Sequence, residues 1–72
     1  MVKEKLKWIA DVYSLRPRRY EIKHDRSAGF YLFVYENDQC VRDHLQDTLE
    51  IAMECAWEEY GVIKNMWRKI EW

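Results

Sequence analysis

Phe30-Tyr31-Leu32-Phe33-Val34-Tyr35 is an unbroken run of apolar and aromatic residues. Such a run fits a strand in the middle of a sheet, with neighbours on both edges and packing on both faces. Before it, Tyr20, Ile22 and His24 alternate with Arg19, Glu21 and Lys23, the period of a half-buried strand. Asp25–Gly29 (DRSAG) turns the chain between the two. After the run comes Glu36–Gln39 (ENDQ), and Cys40 to Leu45 alternates again. Asn37 and Asp38 both tolerate the left-handed region, so this turn reads as a two-residue hairpin loop.

A two-residue loop implies a register. It pairs Val34 with Val41, Leu32 with Asp43 and Phe30 with Leu45 on one face, the expected floor for a helix, with Asp43 as its discordant member. On the other face it pairs Tyr35 with Cys40, Phe33 with Arg42 and Tyr31 with His44. That second face is aromatic, with Arg42 among its rings and Arg19 or Lys23 nearby.

The helix follows at once, over residues about 48–60. Asp47 is suited to the N-cap, and Glu50 lies three residues on, where a capping box needs it. Gly61 supplies the residue that ends a helix in a left-handed conformation. Leu49, Ala52, Met53, Ala56, Trp57 and Tyr60 share one face at helical spacing and read as core. Glu50, Glu54 and Glu58 form a like-charge ladder on the opposite side, which slightly destabilises an isolated helix and suits either solvent or a basic partner. Ile51 and Cys55 make a small apolar strip beside the ladder.

The ends are less sharply patterned. Leu6, Trp8, Ala10 and Val12 alternate as a strand would, while Leu6, Ile9, Ala10 and Tyr13 also fit a helix; the strand is preferred, and Arg16-Pro17 ends either one. Met66, Ile70 and Trp72 alternate with Trp67, Lys69 and Glu71, which suggests a short closing strand. The expected architecture is therefore α+β: one domain over 1–72, with an antiparallel sheet of three to five strands packed on one main helix. A chain of 72 residues has little surface to bury, and its four Trp, five Tyr and two Phe make up for that with large side chains.

The segment Asp47-Thr48-Leu49-Glu50-Ile51-Ala52, entered from a strand–turn–strand, resembles the start of the helix in the HicB-type antitoxin domain. The resemblance covers about residues 30–61. It implies a sheet-and-helix domain that binds a partner protein, often a toxin nuclease. Family members usually carry Gly-Cys before the third strand where this chain has Gln39-Cys40. The DNA-binding domain that many of them add has no counterpart within these residues.

Catalysis finds little support. His24 and His44 are the only histidines, and neither a nucleophile elbow nor a phosphate-cradling glycine loop is present. Asp25 beside His24 and Asp43 beside His44 are strand neighbours, which point to opposite faces. Cys40 and His44 share a face in the expected register, but four strand residues separate them by about 13 Å, too far for one metal ion. The expectation is a non-enzyme without metal or cofactor. Its cysteines read as reduced thiols of a cytoplasmic protein, and no apolar run is long enough for a membrane span.

Net charge is −1, but residues 1–26 hold eight Lys/Arg against four acids, and residues 27–72 hold four against nine. This asymmetry suits two halves that attract each other in the fold, or a basic patch beside an acidic one. The functional expectation is a protein-binding module, with homodimerisation, that inhibits a basic partner in the manner of an antitoxin or immunity protein. Its expected partner-binding residues are Tyr31, Phe33, Tyr35 and Arg42 for apolar contact, and Glu50, Glu54 and Glu58 for electrostatic steering. The alternative is a single-stranded nucleic-acid-binding module that stacks bases on the same aromatic face.

Overall fold

A computed structural model describes residues 6–12 and 18–71. Strands run over Leu6–Val12 (β1), Arg18–Asp25 (β2), Gly29–Glu36 (β3) and Gln39–Gln46 (β4), followed by a helix over Leu49–Tyr60 (α1), a 3-10 turn over Lys64–Met66 and a last strand over Arg68–Glu71 (β5). All neighbouring strands are antiparallel, in the order β4-β3-β2-β1-β5. The expected α+β architecture is present, with β3, the aromatic run, as an inner strand. The N-terminal segment is a strand over its described residues.

The core follows from the strand period of two. Trp8, Ile22 and Leu32 pair across β1, β2 and β3, as do Ala10, Tyr20 and Val34 one step along, and all six are buried. Ala52 and Ala56 of α1 close over them without exposure, their short side chains letting the helix approach. α1 lies over β3 and β4. Buried Val62 and the half-buried Met66 and Trp67 continue the cover toward β1, so that β5 can pair on the edge opposite β4. Burying Ile22, Leu32, Val34 and Val62 contributes about 1.5–3 kcal/mol each.

The β3–β4 hairpin turns through Asn37 and Asp38 at φ 51° and 63°, the expected two-residue loop. The expected register then survives only at its first pair, Tyr35 with Cys40. A β-bulge between Val34 and Tyr35 leaves Val41 as the extra residue, so Arg42 opposes Val34, Asp43 opposes Phe33, His44 opposes Leu32 and Leu45 opposes Tyr31. One inserted residue reverses the facing of everything after it. Asp43 thereby leaves the helix-covered face and Leu45 joins the aromatic one. His44, now beneath the helix, is satisfied by the Tyr60 hydroxyl at 2.7 Å. Cys40 and His44 do not share a face.

Two details of α1 also differ from expectation. Thr48, not Asp47, is the N-cap: its backbone is extended and its hydroxyl accepts from the Ile51 N–H at 3.1 Å. Glu50 therefore lies in the first turn without completing a capping box, where the helix dipole still favours it. Trp57, expected in the core, is 56% exposed. The buried stripe centres on Ala52 and Ala56, and Trp57, about 100° further round the helix than Ala56, sits at its margin. Gly61 terminates the helix as expected at φ 72°, with its N–H donating to the Trp57 carbonyl and that of Val62 to the Ala56 carbonyl.

Gly29 ends the β2–β3 turn, in which Asp25 Oδ1 accepts from the N–H groups of Ser27 and Ala28. Its φ is 124°, and a Cβ there would lie against the backbone of Gln46. Gly29→Ala should therefore cost about 1–3 kcal/mol in a urea titration through backbone strain alone. Ser27→Ala, exposed in the same turn, should stay within about 0.5 kcal/mol. Equal stability of both variants would show that the turn does not need glycine.

Candidate protein-binding surfaces

The sheet face away from α1 is covered by no described element. Its centre is β2, whose Arg19, Glu21 and Lys23 point outward between Lys7, Ile9 and Asp11 of β1 and Tyr31, Phe33 and Tyr35 of β3. The three rings form a stripe along β3, Tyr31 stacked on Phe33 with centroids 5.7 Å apart and Phe33 tilted to Tyr35 at 6.4 Å. The Arg19 guanidinium lies 4.7 Å from the centre of the Tyr35 ring, and the Lys23 ammonium 5.4 Å from that of Phe33.

Glu21 organises those cations. It is only 4% exposed although it belongs to the open face, because longer side chains close over it. Lys7 Nζ approaches one carboxylate oxygen at 2.9 Å, Arg19 Nε donates to the other at 2.8 Å, and Lys23 Nζ stands 3.9 Å away. Burial by itself raises the carboxyl pKa; hydrogen bonds and charge from Lys7 and Arg19 outweigh it and hold the pKa below the ordinary glutamate value. Arg68 and Asp11 add a second ion pair at 2.9 Å on the same face.

The second surface is the outer side of α1. Glu50, Glu54 and Glu58 are exposed along it, as the periodicity predicts. On one side of the ladder, Met53, Trp57, Val62, Ile63 and Lys64 join Glu50 and Glu54 around a groove of about 370 Å³. On the other side, exposed Ile51 and half-buried Cys55 lie beside Gln46 and Glu59. Burial pushes the Cys55 thiol pKa up, so its thiolate is scarce at neutral pH.

The expected site residues thus divide among three places. Tyr31, Phe33 and Tyr35 share the open face, as expected. Arg42 does not join them: the bulge turns it to the helix side of β4, beside Val34 and Tyr60. Glu50, Glu54 and Glu58 lie across the sheet from the rings. Trp57 and Ile63, which line the groove, were not anticipated, and Glu21 was read only as one polar member of an alternating strand. Its signal was the triplet of cations at positions 7, 19 and 23, whose convergence requires the strand pairing.

Among the described residues no three His, Cys, Asp or Glu side chains cluster as metal ligands, and no helix is long and apolar enough to cross a membrane. His24 stacks on Phe30 with centroids 4.4 Å apart, and His44 is engaged with Tyr60. Comparison with protein families, with curated proteins and with solved structures finds no match to this chain.

Glu21 gives these surfaces a pH dependence. Its folded pKa is depressed, so its stabilisation is fully present above the unfolded carboxylate value and is lost as pH falls through the folded one. Glu21→Gln should lower stability at neutral pH by about 1–3 kcal/mol. The gap from the unmodified chain should close on acidification. Urea titrations across this range test it, and a gap independent of pH would mean that Glu21 acts only by filling space.

Proposed function

We propose that this chain is a small non-catalytic protein-binding module whose partner inserts a large apolar side chain into the Trp57 groove and sets basic residues against Glu50, Glu54 and Glu58. The observation that carries this reading is Trp57: an indole more than half exposed, at the lip of an apolar groove and beside a row of carboxylates. Tryptophan is the residue type most enriched at binding hot spots, where an apolar pocket excludes water around it. The carboxylates supply attraction at long range and select the sign of the partner's charge.

A nuclease is a protein of that kind, because its substrate face is basic. Masking such a face is the work of antitoxins and immunity proteins, and the resemblance of residues 30–61 to the HicB-type domain supports the same reading. A cytoplasmic setting with reduced thiols goes with it. Single-stranded nucleic acid on the open sheet face is the second reading, supported by Arg19 and Lys23 lying over Tyr35 and Phe33. Buried Glu21 and nearby Asp43 oppose it by offsetting much of the positive charge a phosphate backbone needs.

The test is affinity capture from nuclease-treated lysate with three baits: the unmodified chain, Trp57→Ala and Glu54→Arg. Neither side chain is part of the core, so both variants should fold. A stoichiometric protein partner should bind the unmodified chain and weaken about 30-fold or more with Trp57→Ala, the loss of a hot spot worth about 2 kcal/mol. Its binding to the unmodified chain should also fall with salt, and that salt dependence should be lost with Glu54→Arg. A partner held equally by all three baits would exclude the groove. Capture of nucleic acid by the unmodified chain when nuclease is omitted, lost with the further variants Tyr31→Ala and Lys23→Ala and kept with Trp57→Ala, would favour the second reading.

A further inference from the structure

We infer that the segment of the partner that enters the Trp57 groove is an amphipathic α-helix, apolar where it fills the groove and basic on the flank that meets α1. This rests on the proposed function in one respect, that the groove is a protein-binding site; it adds the secondary structure and charge pattern of what binds there. One wall of the groove is a stripe of α1 at Glu50, Met53, Glu54 and Trp57. These positions are i, i+3, i+4 and i+7, a single helix face about 10.5 Å long. The other wall is Val62, Ile63 and Lys64, where the chain turns back from the end of α1. Two turns of helix surface beside an apolar trough are what a second helix packs against.

Backbone hydrogen bonding decides between a helix and an extended segment. A docked strand relies on a free sheet edge, because its own N–H and C=O groups point sideways and need partners. The edge strands of this sheet are β4 and β5, and neither contributes a residue to the groove. Along one wall the α1 backbone is bonded within the helix. On the other, the Val62 N–H donates to the Ala56 carbonyl, and the Ile63 and Lys64 carbonyls accept from the N–H groups of Met66 and Trp67. An extended segment here would be dried with polar groups unmet. A helix brings its backbone already paired.

Charge sets the pattern on that helix. Glu50 and Glu54 line the groove, and Glu58 continues the row one turn on; all three are exposed and none is ion-paired among the described residues. Lys64 is the one cation among the lining residues, and it stands on the opposite wall. Lysines or arginines four residues apart on the incoming helix repeat at the spacing of these carboxylates and meet them in turn. Its other flank, toward Lys64, is acidic or uncharged. Reversing a helix exchanges its flanks, so this difference also fixes the direction in which it lies. Between the flanks, a large apolar side chain reaches Met53 and buried Val62 beside the Trp57 indole.

Fluorescence anisotropy with labelled synthetic peptides tests this. The probe is a peptide of about sixteen residues, long enough for a marginal helix, with leucines three and four apart and lysines along one flank of an alanine background. A second peptide has the same composition with leucine and lysine alternating, the pattern of a strand. A third replaces the lysines of the first with glutamates. The unmodified chain should bind the first peptide, which should gain helix by circular dichroism, and bind the other two about 10-fold or more weakly. Trp57→Ala and Glu54→Arg should each weaken the first peptide by about 10-fold or more. Ile63→Ala, on the opposite wall, stands in for Trp57→Ala should the latter unfold, since Ile63 is 45% exposed.

Equal binding of the alternating peptide overturns the inference, because an extended segment then suffices. So does absence of binding by the helical peptide. Binding that both Trp57→Ala and Ile63→Ala leave unchanged overturns it as well, since attraction to the carboxylates alone would explain it. The proposed function is read separately, by affinity capture. A captured protein lost with Trp57→Ala, beside a helical probe that does not bind, upholds the groove and sinks the helix. A probe that binds as expected, with no protein captured, upholds the helix and counts against the proposed function.

Discussion

One twelve-residue helix and the short segment after it can dry only one side of a five-stranded sheet, and much of this molecule answers to that constraint. The dry side is a small core built from two rows of three paired strand residues under two alanines. The other side has to be stable without a covering layer. It achieves this by laying long cationic side chains over aromatic rings, with the aliphatic stems shielding apolar surface while the charged ends reach water. Glu21 holds those cations in place. Its burial would be costly alone, and it is tolerated because each of its oxygens meets a cation.

The bulge in β4 is the second element on which the arrangement depends. Without it, Asp43 would face α1 and Leu45 would replace His44 and Gln46 in the sorting of the edge strand. With it, a carboxylate goes to the open face and an imidazole meets the Tyr60 hydroxyl. The bulge also breaks the regularity of the edge, which limits pairing with a stray strand. Asp43 was the trace of this in the sequence. An acid assigned to the floor of a core marks a register in need of one more residue, although local pattern does not say where the insertion falls.

Function in this reading comes from what the core leaves out. Trp57 belongs by periodicity to the margin of the face that holds Ala56 and Met53, yet it stays more than half exposed and becomes the lip of a groove beside the glutamate ladder. The ladder has no basic partner to relieve it within α1. Repulsion along it is the kind of local conflict that a binding partner resolves. On the opposite side, the aromatic stripe was legible as a surface, but its cations were only partly so: Arg19 and Lys23 were near at hand in sequence, while Arg42 was turned away by the bulge.

By itself the sequence determined the elements. Alternation marked β2 and β4, an unbroken apolar run marked β3, Asn37-Asp38 set a tight hairpin, and Gly61 ended α1, because each of these depends on residues within a few positions of one another; the pattern of β1 fitted a helix as well as a strand. Tertiary structure decided what each element faces. The bulged register, the exposure of Trp57 and the closure of three cations over Glu21 all arise from contacts between segments distant in the chain. A local pattern records which residues can be buried together; only the packed sheet and helix, competing for the same limited apolar contact, settle which of them are.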